Sequence, residues 1–264
     1  MKNRRFPILI LIVFLGICAG VMRGIEMAYH FDWSTAMFEP FATSFVLPTY
    51  SIAAMLVIFI ISRTCHGKIS DYCTTYPIRG KFGLFIDVLS ALVLGVAGFW
   101  RILSAVQIGR PSYIVFGILT VLAAAVMIAL SAARHKGQIG DYARHFSPIL
   151  IFWSCFLLIL TYMEHPVEPV LRVFCYDILA ASFLTLAAFY EVAPIFSVKR
   201  RSTALFFSLG SIFLILLTVV GRGFAFILSG DLNNLFDAPW RMLAFICIGL
   251  RIVQTSAALL SDNR

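Results

Sequence analysis

All five lysines of this 264-residue chain fall on one side of a ladder of apolar runs. Lys2, Lys68, Lys81, Lys136 and Lys199 sit at the first end or in alternate connections between runs near 6–28, 41–62, 82–105, 112–133, 147–164, 169–190, 203–228 and 240–260. Crossing a hydrocarbon core of roughly 30 Å takes about 20 apolar residues, the scale of each run. Cationic loops beside membrane-crossing helices stay in the cytoplasm. The pattern predicts an all-α, polytopic membrane protein of eight transmembrane helices, with both termini cytoplasmic.

The distribution of charge carries the same message. The predicted inner segments 1–5, 63–81, 134–146, 191–202 and 261–264 hold 14 of the 21 basic residues, and the other seven are all arginine. The outer segments are acidic, with Asp32, Glu39, Glu164, Glu168, Asp231 and Asp237. The net charge of +8 is therefore an inside bias, and nucleic acid is not an expected partner. Hydrophobic residues make up 61% of the chain and charged residues 13%, against about half and a quarter in a soluble domain. The expected partner is the lipid bilayer. The chain reads as a single integral membrane domain over 1–264, built as hairpins near 1–66, 77–135, 145–191 and 202–262. Its first run lacks a small-x-small cleavage site before Arg23 and reads as an uncleaved helix. No Asn-x-Ser/Thr acceptor occurs, and the expected location is the cell (inner) membrane.

Proline punctuates the ladder. Pro40, Pro111, Pro169 and Pro239 stand where each outer-to-inner helix should open, a position that tolerates the missing N–H. Pro48 falls well inside the second run and predicts a kink there. Arg23-Gly24 before Phe38-Glu39-Pro40 is echoed by Arg222-Gly223 before Phe236-Asp237-Ala238-Pro239. That echo fits either duplication or the reuse of one kind of turn.

Few residues can carry chemistry. Gly16, Gly20 and Gly24 make a small-xxx-small face suited to close helix packing, within the chain or with a partner. Arg23, Arg101, Arg172 and Arg222 lie at one depth near the outer helix ends and could line an electropositive vestibule. Arginine suits this because its planar fork grips carboxylate or phosphate. Arg23 has Glu26 and Arg172 has Glu168 within helical reach, whereas Arg101 and Arg222 need a tertiary partner, a headgroup or a ligand. Asp177 and Arg251 project near mid-bilayer, where an isolated charge costs at least about 2.5–3.5 kcal/mol, and are expected to pair with each other. Asp87 lies about a turn and a half inside the third helix.

No metal site or cofactor is expected. The histidines lie near span ends or in loops, and Cys65, His66 and Cys73 lack a Cys-x-x-Cys step. Tyr176-Asp177 followed by Gly221-Arg222-Gly223 resembles the paired motifs of intramembrane aspartyl proteases. Phe224 stands where the second aspartate belongs, however, so no two-carboxylate dyad can form. An enzyme is not the expected class. The charges point to binding or transport of a small solute, ion or anionic lipid, with Arg101 and Arg222 as outer contacts and Asp177 and Arg251 as the central site. The alternative is a non-catalytic membrane subunit or scaffold that assembles with another membrane protein, suggested by the glycine face and by the lack of catalytic motifs.

Overall fold

The structure is a computed structural model that describes residues 5–29, 31–32, 37–38, 45–65, 69, 71–78, 80–163, 168–198, 200–230 and 239–261. Within these, the side chains of 5, 6, 31, 32, 37, 38, 168–174 and 261 are not described. The elements are α1 (Arg5–Tyr29), β1 (Phe31–Asp32), β2 (Met37–Phe38), α2 (Val46–Thr64), α3 (Tyr72–Thr75), α4 (Lys81–Ile108), α5 (Pro111–Lys136), α6 (Asp141–Phe146), α7 (Pro148–Met163), α8 (Glu168–Val192), α9 (Arg201–Ser229) and α10 (Pro239–Ser261). A 3-10 turn, Ala193–Phe196, extends α8. The two short strands pair antiparallel, Phe31 opposite Phe38. Eight of the helices are long and apolar enough to cross a membrane, and the chain is a multi-pass membrane protein.

The predicted runs match these eight helices to within a few residues, except at the second, where α2 starts at Val46. Pro48 therefore lies in the first turn of α2, and the predicted mid-helix kink is not needed. Pro111 and Pro239 are the first residues of α5 and α10 and Pro169 is the second of α8, while Pro40 lies outside the described residues. Between α4 and α5 the chain reverses over two residues. Gly109 takes the left-handed conformation (φ 72°) as the α4 cap, and Arg110 leads into Pro111.

The helices do not assemble simply as sequential hairpins. α9 is the hub, packed by α1, α8, α10 and α2, and α1 touches α9 far more than its neighbour α2. Gly16, Gly20 and Gly24 explain that contact. A Cβ on Gly16 would come within 2.8 Å of Leu216 Cβ, on Gly20 within 2.7 Å of Val220 Cβ, and on Gly24 within 2.9 Å of the Gly221 carbonyl oxygen. The two helices run parallel, and their backbones approach closely only because α1 has no side chain there. The small-residue face is an internal seam. α4 and α5 form a tight hairpin of the same kind, with Gly98 against Gly117 and Thr120. That hairpin joins the rest through α10 and α7. Hydrogen bonds from Trp153 to Thr120 Oγ1 (2.9 Å) and from Thr185 to the Ser154 carbonyl (3.0 Å) tie α7 to α5 and α8.

Candidate functional site: two buried charge clusters

Among the described residues, most buried charged side chains fall into two groups at opposite helix ends, named outer and inner after the topology that the loop charges predict. The outer group is centred on Asp177 of α8. Its Oδ1 accepts from Arg23 Nη2 of α1 at 3.0 Å, and its Oδ2 accepts from Arg222 Nη2 of α9 at 2.6 Å. Arg241 Nη2 of α10 lies 3.9 Å from the same Oδ2. All four side chains are 0–2% exposed. Gly221 makes room for one of them, since a Cβ there would sit 3.0 Å from Arg23 Cδ. The Arg23 guanidinium also lies 5.4 Å from the ring centroid of Tyr176, the residue beside Asp177. Glu26, half-buried, lies three residues beyond Arg23 on α1. Even with Glu26 counted, guanidinium groups outnumber carboxylates three to two among the described side chains of this group.

The inner group pairs two carboxylates with two guanidinium groups, and Arg201 of α9, also buried at this end, donates to the Leu259 carbonyl. Asp87 Oδ2 of α4 accepts from Ser131 Oγ at 3.0 Å and from Arg134 Nη1 at 3.4 Å, both on α5, with Arg251 Nη1 of α10 at 3.8 Å. Arg251 donates from Nε to Glu191 Oε1 of α8 at 3.0 Å, with Nη2 2.8 Å from the same oxygen. Arg251 also donates to Ser131 Oγ (3.0 Å), the Met127 carbonyl (3.3 Å) and Tyr72 Oη (3.4 Å). Arg134 Nε donates to the Tyr76 carbonyl at 2.8 Å. Two carboxylates thus meet two guanidinium groups, and each of these arginines also donates to a backbone carbonyl, Arg134 to Tyr76 and Arg251 to Met127.

Tyr72 carries this network into the inner connection between α2 and α4. Its hydroxyl lies 3.4 Å from Glu191 Oε1, and its ring packs on Tyr76 with centroids 5.4 Å apart. Both tyrosines are 1% exposed although they lie outside the membrane spans. Burial, reinforced by the Glu191 charge, pushes both phenols well above their usual range, so they act as neutral hydrogen-bonding groups. Burial likewise raises the Cys73 thiol, whose Sγ sits 3.5 Å from the Ala133 carbonyl.

The expected pairing of Asp177 with Arg251 is overturned. Asp177 pairs with Arg23, Arg222 and Arg241, whereas Arg251 pairs with Glu191 and Asp87. The reason is register. Arg241 lies two residues from the start of α10 and meets Asp177, which lies nine residues into α8. Arg251, a further ten residues along and roughly 15 Å deeper, reaches the inner group. Depth read from run ends assumes that all helices begin at one level, and these two do not.

The four-arginine layer is also divided. Arg23 and Arg222 are buried on a carboxylate instead of lining an open mouth. Arg101 of α4 stacks on Tyr113 at 4.0 Å and on Trp240 at 5.0 Å. Arg172 lies on α8 with its side chain outside the described residues. Sequence reasoning missed Arg241, Glu191, Arg134, Ser131 and Tyr72. A heptad signal for Glu191 was present: residues 177, 184 and 191 share one face of α8, and Asp177, Leu184 and Glu191 are all buried on it. Arg241, Arg134 and Glu191 were hidden because they lie near run ends, where a charge is ordinarily solvated.

Compared with known proteins, the chain matches no family model, no curated protein and no solved structure.

Proposed function

We propose that this membrane protein binds a small anionic solute in the outer half of its bundle, at Arg23, Arg222, Arg241 and Asp177, as the recognition step of transport across the membrane. One observation carries the reading, namely that three buried guanidinium groups share one carboxylate. Charge inside a membrane protein marks substrate pathways by default, and planar donors suit carboxylate, phosphate or sulfate. Arg241 is the ligand contact in this reading, because of the three arginines it lies furthest from Asp177, at 3.9 Å, and Arg23 and Arg222 keep the aspartate paired. Asp87, Arg134, Glu191 and Arg251 form the inner closure, about 21 Å further along α8. The cell (inner) membrane fits the loop charges and the lack of glycosylation acceptors.

The scaffold alternative loses its glycine argument, because Gly16, Gly20 and Gly24 are occupied by α9 within the chain, and keeps only the lack of catalytic motifs. The test is thermal unfolding of purified protein in neutral detergent with phosphate, sulfate, citrate or glutamate. At least one anion should raise the melting temperature with saturation, and Arg241→Gln should abolish the rise while leaving the ligand-free fold intact. An unchanged shift in Arg241→Gln, or no shift with any of the four, removes the reading.

A further inference from the structure

A groove of about 660 Å³ opens on the membrane side of α4 and α10, and Arg241, next to its Trp240, is buried beside Asp177 and does not line it. Its wall is Leu92, Val93, Val96, Ala97 and Trp100 on α4 with Leu243 on α10, and its outer end is Arg101 beside Trp240. Val96 and Trp100 are 70% and 71% exposed, so in a bilayer this groove is filled by lipid. Length and charge decide which lipid. α4 has 28 residues and spans about 42 Å, roughly 12 Å more than a 30 Å hydrocarbon core. If both ends project equally, Arg101, about 10 Å from the outer end, has its backbone some 4–5 Å below the headgroup boundary. Its side chain can reach the phosphate level from there. From Arg101 to Leu92 is about 13.5 Å of helix, close to half the hydrocarbon thickness and hence to one leaflet's acyl layer.

We propose that the groove is a site for one anionic glycerophospholipid of the outer leaflet, with its phosphate on Arg101 and an acyl chain along α4 toward Leu92. The Tyr113 and Trp240 rings, with centroids 4.0 and 5.0 Å from the guanidinium carbon, restrain Arg101 at the outer end of the groove. This site is separate from the proposed solute site, and Arg241→Gln should not affect it. The test is native mass spectrometry of the protein in neutral detergent with phosphatidylglycerol and phosphatidylcholine of matched chains at equal concentration. One phosphatidylglycerol should be retained about fivefold over phosphatidylcholine, the scale of one basic residue's attraction for an anionic lipid. Arg101→Gln should erase the preference and Arg101→Lys should keep part of it. Val96→Trp should reduce retention of both lipids. Equal retention by the wild type, or a preference that survives Arg101→Gln, overturns the proposal. So does glycerol phosphate binding as well as the intact lipid, or a dimer mass that Val96→Trp dissolves.

Discussion

The inner and outer clusters are built from the same two kinds of group in different proportions. At the inner end Asp87 and Glu191 meet Arg134 and Arg251, and a serine and a tyrosine hydroxyl complete the set. At the outer end three arginines converge on Asp177. A buried ion pair contributes little net stability against an apolar replacement, yet removing one partner costs about 3–5 kcal/mol because the other charge stays behind. The inner cluster, in which each carboxylate is bonded by an arginine and a hydroxyl, therefore works as a fastening. The outer one gathers three guanidinium groups on one carboxylate among the described side chains, and under the proposed function it receives an anion there.

The largest effect should come from Asp177→Asn. This change strips three guanidinium groups of a shared acceptor while keeping shape, and the loss should reach or exceed the upper end of about 3–5 kcal/mol. Denaturant titration in mixed micelles would measure it. Asp87→Asn should cost less, about 3 kcal/mol, because Arg134 keeps the Tyr76 carbonyl and Arg251 keeps Glu191. If the two variants lose equal stability, the distinction between the clusters is wrong.

The same contrast bounds what was legible beforehand. The ladder of apolar runs gave seven of eight helices to within a few residues, because crossing a bilayer is a local demand on length and hydropathy. Partners were not legible, because they depend on how far one helix slides past another. Asp177 was correctly singled out as needing a cation, but α10 offered two, and only the register chose Arg241 over Arg251. The glycines of α1 announced a close approach without naming α9, which follows almost two hundred residues later.

Next in size is Gly20→Ala. Its new methyl would meet Val220 Cβ at 2.7 Å and the Leu216 carbonyl at 3.1 Å, so α1 and α9 must separate. The cost should be about 1–3 kcal/mol, and because α1 supplies Arg23, the outer cluster should loosen with it. Anion-dependent stabilisation should therefore fall in Gly20→Ala, while the inner cluster stays closed. Cys73 reports on that closure. Its thiol is buried against α5 and pushed above the usual range, so less thiolate is present at any given pH than on an exposed cysteine. Maleimide should label it slowly in the wild type and in Gly20→Ala, and quickly in Asp87→Asn. Fast labelling in Gly20→Ala would mean that the two clusters are mechanically one.

The smallest effect on stability is also the most diagnostic. Arg241→Gln removes one cation from the outer cluster and leaves Asp177 with Arg23 and Arg222 at 3.0 and 2.6 Å. If the third arginine only supports the fold, its loss should destabilise, as loss of Arg251 at the inner end would. If it is held for a ligand, the ligand-free protein should lose no more than about 1 kcal/mol or gain stability, since a buried charge has been relieved of its desolvation cost. Arg251→Gln is the matched control, because it orphans Glu191 and should cost about 3–5 kcal/mol. Two arginines ten residues apart on α10 are then distinguished by one comparison of unfolding curves without ligand. Equal losses would assign both of them to structure and leave the outer cluster without a receptive side chain.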